Sequence, residues 1–262
     1  PPPTTSSAAS DVYKRQHQLA LDNYKKLMTI KKPDVSILAG AARLAIRSEQ
    51  YPEAERYIRQ ALELEGDNAA LVTNLIRLLV LKEDWKEASE FAQRLIESDD
   101  SKALGYYLQA GLDLQAEKND QAIENLKLSI KAQPEAVESL TALARVLGEH
   151  KGSDTALAYV QSHCKQYPDQ SHCRYILGSL HAQNSEFDQA VSELRTALEL
   201  NDQLESGYRQ LAKVYAAKKD LSSIEKVLQE GIEVTDKIQL RNDLAGFYYG
   251  VQRYEDSAAV YE

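Results

Sequence analysis

From His17 to the end of the chain, apolar and polar positions follow a helical rhythm. In "VSILAGAARLAIRS" (35–48), Leu38, Ala41, Ala42, Ala45 and Ile46 recur near the 3.6-residue period that lines one face of a helix. A short break follows at Glu49-Gln50. "YPEAERYIRQALEL" then carries a second stripe of Ala54, Tyr57, Ile58, Ala61 and Leu62. Pro52 falls in its first turn, where a missing N–H leaves no bond unmade. "EGDN" closes the pair. The pattern predicts two amphipathic helices joined by a tight turn.

The pair repeats along the chain. Ala20, Ala54, Ala88, Ala122, Ala156 and Ala190 stand 34 residues apart. Three residues before the alanine come Tyr51, Trp85 and Phe187, and seven after it come Leu27, Ala61, Leu95 and Ala197. Twelve after it, Gly66, Asp100, Pro134, Pro168 and Asp202 mark turns. The series continues with Ile224 and, one residue short, Ser257. Two helices joined by so short a turn approach to roughly 8–10 Å between axes. A small side chain suits that place, because overpacking it costs about 1–3 kcal/mol. Ile224 departs from the rule, and the pair there is expected to be splayed or repacked.

A 34-residue helix–turn–helix with these small and aromatic positions resembles the tetratricopeptide repeat. The resemblance rests on "YILGSLHAQNSEFDQAVSELRTALELND" (175–202), with Leu177, Gly178, Phe187, Ala190 and Ala197, and on Tyr208, Leu211 and Tyr215 in the next unit. Two middle units match less well, with Asn119 and Ser153 where the family prefers an aromatic. The resemblance implies an all-α fold, a right-handed α-solenoid of stacked antiparallel helix pairs, with first helices lining a concave groove. Mapped onto this chain, the groove positions are Arg43, Arg47, Arg77, Tyr107, Arg145, Tyr175, Arg209, Lys213 and Tyr249.

Acids in those places are few, chiefly Glu138 and Glu149, whereas Glu53, Glu55, Glu63, Glu65, Glu87, Glu90, Glu193 and Glu199 fall on second helices. Arg and Tyr are frequent interface hot spots, and Arg grips carboxylates through paired charge-assisted bonds. Two readings stand open. The groove takes a peptide or protein segment bearing acidic groups, or its arginines are solvated or paired with neighbouring glutamates. The family's carboxylate clamp is incomplete: Arg209 and Lys213 imitate its last pair, but Tyr175 and Ser179, then Thr141 and Arg145, supply no Asn in the preceding repeats.

Residues 1–16, "PPPTTSSAASDVYKRQ", have three prolines and no apolar stripe. They are expected to be a disordered leader, foreign to the native protein. Residues 17–34 read as the second helix of a truncated repeat, 35–237 as six repeats and 238–262 as a truncated seventh. The whole is expected to be an internal fragment of a longer, bacterial protein.

Composition removes other function classes. Against 31 Lys and Arg stand 40 Asp and Glu, a net charge of −9, which argues against binding nucleic acid or anionic membrane. The longest apolar run, "AALVTNLIRLLVLK", is interrupted by Asn74 and Arg77 and is too short for a transmembrane segment. No signal-peptide pattern is visible. The 11 glycines form no phosphate-cradling motif, and no nucleophile–base set for catalysis is visible. No metal or cofactor is expected.

"SHCKQYPDQSHC" (162–173) is the one stretch that suggests chemistry. Adjacent residues on a helix point about 100° apart, so the two His-Cys pairs suit zinc poorly. A Cys164–Cys173 disulfide meets a different objection: helix axes about 8–10 Å apart exceed the Cα separation of roughly 7 Å that a disulfide tolerates. Two semi-buried thiols are the expectation.

The expected function is a non-enzymatic protein–protein interaction scaffold. The alternatives are the regulatory or substrate-docking arm of an enzyme, or a repeat lipoprotein of a bacterial exopolysaccharide or surface-protein export system, which would place it in the periplasm or cell envelope.

Overall fold

The computed structural model describes residues 5–66 and 68–261. Among them, fifteen α-helices follow one another without a strand. The chain divides into two compact units, Pro1–Ala132 and Gln133–Glu262.

The first unit opens with α1 (Thr5–Ile30), followed by three helix pairs: α2 (Val35–Arg47) with α3 (Tyr51–Glu65), α4 (Ala69–Leu81) with α5 (Trp85–Glu97), and α6 (Lys102–Gln115) with α7 (Asn119–Ala132). The second unit continues the series with α8 (Val137–Lys151) and α9 (Ser153–Gln166), α10 (Ser171–Gln183) and α11 (Phe187–Leu200), α12 (Glu205–Ala217) and α13 (Leu221–Thr235), then α14 (Ile238–Gly250) and the short α15 (Tyr254–Ala259). Each helix packs on the next within its unit. Each unit is therefore an all-α solenoid of antiparallel pairs.

The 34-residue alanines sit where the pairs close. Ala54, Ala88, Ala122, Ala156 and Ala190 are fully buried. Opposite Ala190, a Cβ added at Gly178 would lie 3.2 Å from the Ala190 carbonyl oxygen and 2.8 Å from Leu194 Cγ, which is why only glycine fits there. Ile224, at the place where the alanine series ends, is also buried. Several helix starts carry side-chain caps: Asp34 accepts from the Ile37 N–H, Asn68 from Ala70 and Leu71, Asp84 from Glu87, and Asp220 from Ser223.

The turns between the two helices of a pair share one geometry. Glu49, Glu83, Glu117, Ser185, Lys219 and Gln252 all adopt left-handed backbone, with φ between 57° and 65°. The residue after each donates its N–H back to the last turn of the first helix: Gln50 to the Ala45 carbonyl, Asp84 to Leu79, Lys118 to Asp113, Glu186 to His181, Asp220 to Tyr215 and Arg253 to Tyr248. This six-to-one bond is the Schellman closure of a helix end. In the α8–α9 turn, Gly152 supplies the positive φ instead.

The leader departs from its expectation. Residues 5–16 are helical and run without interruption into the helix of residues 17–30. The three prolines precede this segment, and proline breaks a helix only from within it; residues 6–12 include Ser, Ala and Asp but no proline. Residues 1–4 lie outside the described residues. On this helix Tyr24 packs against Gly40 of α2, whereas Leu27, seven residues after Ala20, is exposed.

Candidate functional site

The nine groove candidates all lie on first helices, and the structure sorts them by unit. In the first unit, Arg43 and Arg47 stand one helical turn apart on α2, and Arg77 occupies on α4 the place Arg43 has on α2. All three are exposed and make no ion pair with a described residue. The next rung of this series is Gly111 on α6, also exposed, with open space where a side chain would project. Tyr107, one turn earlier on α6, is half-buried.

In the second unit most of the positive charge is engaged within the unit. Arg145 of α8 pairs with Glu149 at 2.8 Å. Arg209 of α12 donates to Asp243 of α14 at 2.5 Å, with Glu205 3.9 Å away, and the Asp243 hydrogen bond and charge hold the guanidinium above its ordinary pKa. Lys213 is exposed and makes no ion pair with a described residue. Tyr175 is half-buried on α10, while Tyr249 is 68% exposed and meets the Tyr254 ring edge-on at 5.3 Å. Of the two open readings, unpaired cations describe Arg43, Arg47, Arg77 and Lys213, and internal pairing describes Arg145 and Arg209. Asp243 is the acid the sequence reading missed; it stands 34 residues after Arg209, so the repeat spacing itself was the signal.

Second helices hold the better-developed ion networks. Glu55 of α3 accepts from Lys82 at 2.7 Å and from Arg59 at 2.8 Å, and Arg59 reaches on to Glu87 of α5 at 2.9 Å. Burial pushes the Glu55 carboxyl up, but the two cations outweigh it and hold it below its ordinary range. Arg195 of α11 and Glu230 of α13 pair likewise at 2.7 Å. In α6, the buried Asp113 carboxylate accepts from Gln109 and from Asn125 of α7, and Ser89 of α5 donates to Gln109. These contacts tie repeats together.

The two cysteines correct the expectation of free thiols: Cys164 and Cys173 form a disulfide with Cα atoms 5.6 Å apart. The objection from axis spacing fails because the cysteines sit in the last turn of α9 and the first turn of α10, where the connecting turn has already drawn the helices together. Beside them, His163 Nε2 lies 3.2 Å from the Pro134 carbonyl and 3.3 Å from Gln170 Oε1, its ring against Tyr167. Among the described residues no group of three His, Cys, Asp or Glu could hold a metal ion, and no helix is long and apolar enough to cross a membrane.

Within each unit, stacked helix pairs presenting rows of first-helix side chains define an α-solenoid. Residues 45–112 match the tetratricopeptide repeat family. That stretch carries the tetratricopeptide repeat, and the helix pairs on either side of it continue the same architecture within each unit. Among solved structures it is similar to yeast Tom70, at 13% identity over 94% of this chain and 54% of that one, with a TM-score of 0.67. It is also similar to a tetratricopeptide repeat protein from Parabacteroides merdae, at 13% identity over 86% of this chain and 90% of that one, with a TM-score of 0.51. These likenesses show the fold. No curated protein matches the chain.

Proposed function

We propose that the protein is a non-enzymatic scaffold that holds an acidic protein or peptide segment against its first helices, principally those of the first unit. The observation that carries this reading is the set Arg43, Arg47 and Arg77, exposed and without an ion pair to any described residue in a chain of net charge −9. In an acidic protein, unpaired cations would be expected to recruit one of the many available carboxylates; these three do not. Their neighbourhood supports it further, since Gly111 leaves room beside them and Tyr107 offers a ring. The packed repeats hold these side chains in place before binding, so little ordering entropy is lost on association.

The test is fluorescence anisotropy with a labelled Glu-rich peptide at low and high salt. Replacing Arg43 and Arg77 together by Glu is expected to weaken binding by roughly tenfold or more, the range of a lost hot spot. Arg145→Ala, which removes a cation already paired with Glu149, should change affinity less than about twofold, as exposed pairs contribute little. Equal affinity of the double variant and the unaltered chain would end the proposal.

A further inference from the structure

The disulfide occupies a place that the repeat defines elsewhere. Cys164 and Cys173 are nine residues apart, on a second helix and the first helix of the next repeat. The same offset falls on Leu198 and Gly207 of α11 and α12, one repeat length further on, and on Ile96 and Gly105 of α5 and α6, two repeat lengths back. At both, the glycine is pressed against its partner. A Cβ at Gly207 would lie 2.8 Å from Leu198 Cδ2, and one at Gly105 would lie 2.6 Å from the Ile96 backbone nitrogen. At these two junctions the i, i+9 position is therefore a close contact between consecutive repeats, with a large apolar residue against a bare backbone. At the α9–α10 junction alone among these three, two cysteines fill it, and both are 99% buried.

We infer that the cysteine pair is an oxidative modification site that replaces this packing contact with a covalent bond, and that the chain folds where thiols are oxidised. Disulfides form and persist in oxidising compartments and are rare where thiol reductants are maintained. The chemistry is thiol–disulfide exchange with a disulfide-bearing oxidant. One cysteine thiolate attacks a sulfur of the oxidant, expelling one thiol and forming a mixed disulfide. The second thiolate then attacks the protein sulfur of that mixed disulfide and expels the other thiol. The chain loses two protons and two electrons, and the oxidant becomes two thiols. Because neither sulfur is accessible in the folded unit, the exchange must precede closure of the α9–α10 junction. The bond is thus a permanent staple installed during folding, unavailable to reductants until the junction opens.

The experiment compares the whole chain secreted into an oxidising compartment with the same chain made in a reducing cytosol. Denatured without reductant, the secreted protein should resist N-ethylmaleimide and be lighter by two hydrogen atoms. The cytosolic protein should take up two labels. In urea, the reduced form should unfold with a midpoint lower by about 1 M, from the loop-closure entropy of a short ring and ordinary denaturant slopes. A Cys164→Leu/Cys173→Gly variant, copying the α11–α12 junction, should unfold at one midpoint in both compartments. Two alkylatable thiols in the secreted chain, or coincident midpoints for its oxidised and reduced forms, would overturn the inference. That second comparison needs no variant and stands even if the Leu/Gly chain fails to fold.

Discussion

At the scale of single residues, the repeat is enforced by side chains that are nearly absent. Ala190 is fully buried, with Gly178 of the facing helix close against its carbonyl. Ala190→Leu therefore forces several carbon atoms into a filled space and should destabilise the second unit by about 1–3 kcal/mol, measurable as a lowered urea midpoint. This residue was legible from sequence because the 34-residue spacing holds without a gap from Ala20 to Ala190. Cys173 was not, for a physical reason. Separation between helix axes is an average along their length, whereas residues next to a turn meet at its narrow end. The glycines in frame with Cys173, Gly105 and Gly207, carried the missing information: where two repeats place glycine, the backbones approach closely, and a third repeat with cysteine there is within bonding reach.

At the scale of the element, the turn inside each pair is the conserved structural device of this chain. Six of these turns hold a non-glycine residue in left-handed backbone. Such a residue carries a steric penalty of about 1–2 kcal/mol, partly offset by the greater chain entropy glycine would lose on folding. Glu117→Gly and Lys219→Gly should accordingly each raise stability, by roughly 0.5–1 kcal/mol, with the far-UV helical signal unchanged in a denaturant titration. Helix boundaries near these turns could be read from the sequence, since "SEQY" and "EDW" interrupt the apolar stripe. The beginning of α1 could not: a segment of Ser, Thr and Ala has no stripe, yet nothing in residues 6–16 forbids helix.

For the whole molecule, the fold class was legible because a periodic pattern repeated many times leaves few alternatives, while the groove was legible only in part. Sequence placed the cations on first helices but not the carboxylates that neutralise some of them, as Asp243 does for Arg209. The same electrostatics set the response to acid. Cations hold Glu55 below 4.5, its ordinary value, against the upward push of burial, and hydrogen bonds from Arg253 and Tyr248 do the same for Glu225. Their folded pKa values lie below the unfolded ones, so their contribution is complete at neutral pH. It declines as pH falls from about 4.5 through the folded values. Thermal melts should be flat through neutrality and fall steeply below that point; Glu55→Gln should lower the melting temperature at pH 7 and narrow its gap to the unaltered chain near pH 3. The nine-residue contact between repeats has a consequence for how such a chain can be cut and rejoined. Excising 171–204, one period starting at a first helix, would set Cys164 opposite Gly207 and strand a single sulfur against bare backbone. Excising 187–220, one period starting at a second helix, removes Leu198 together with Gly207 and leaves the cysteines facing each other. The unit that duplication or recombination can exchange without damage is therefore a second helix with the first helix after it, offset by half a repeat from the hairpin that the eye picks out.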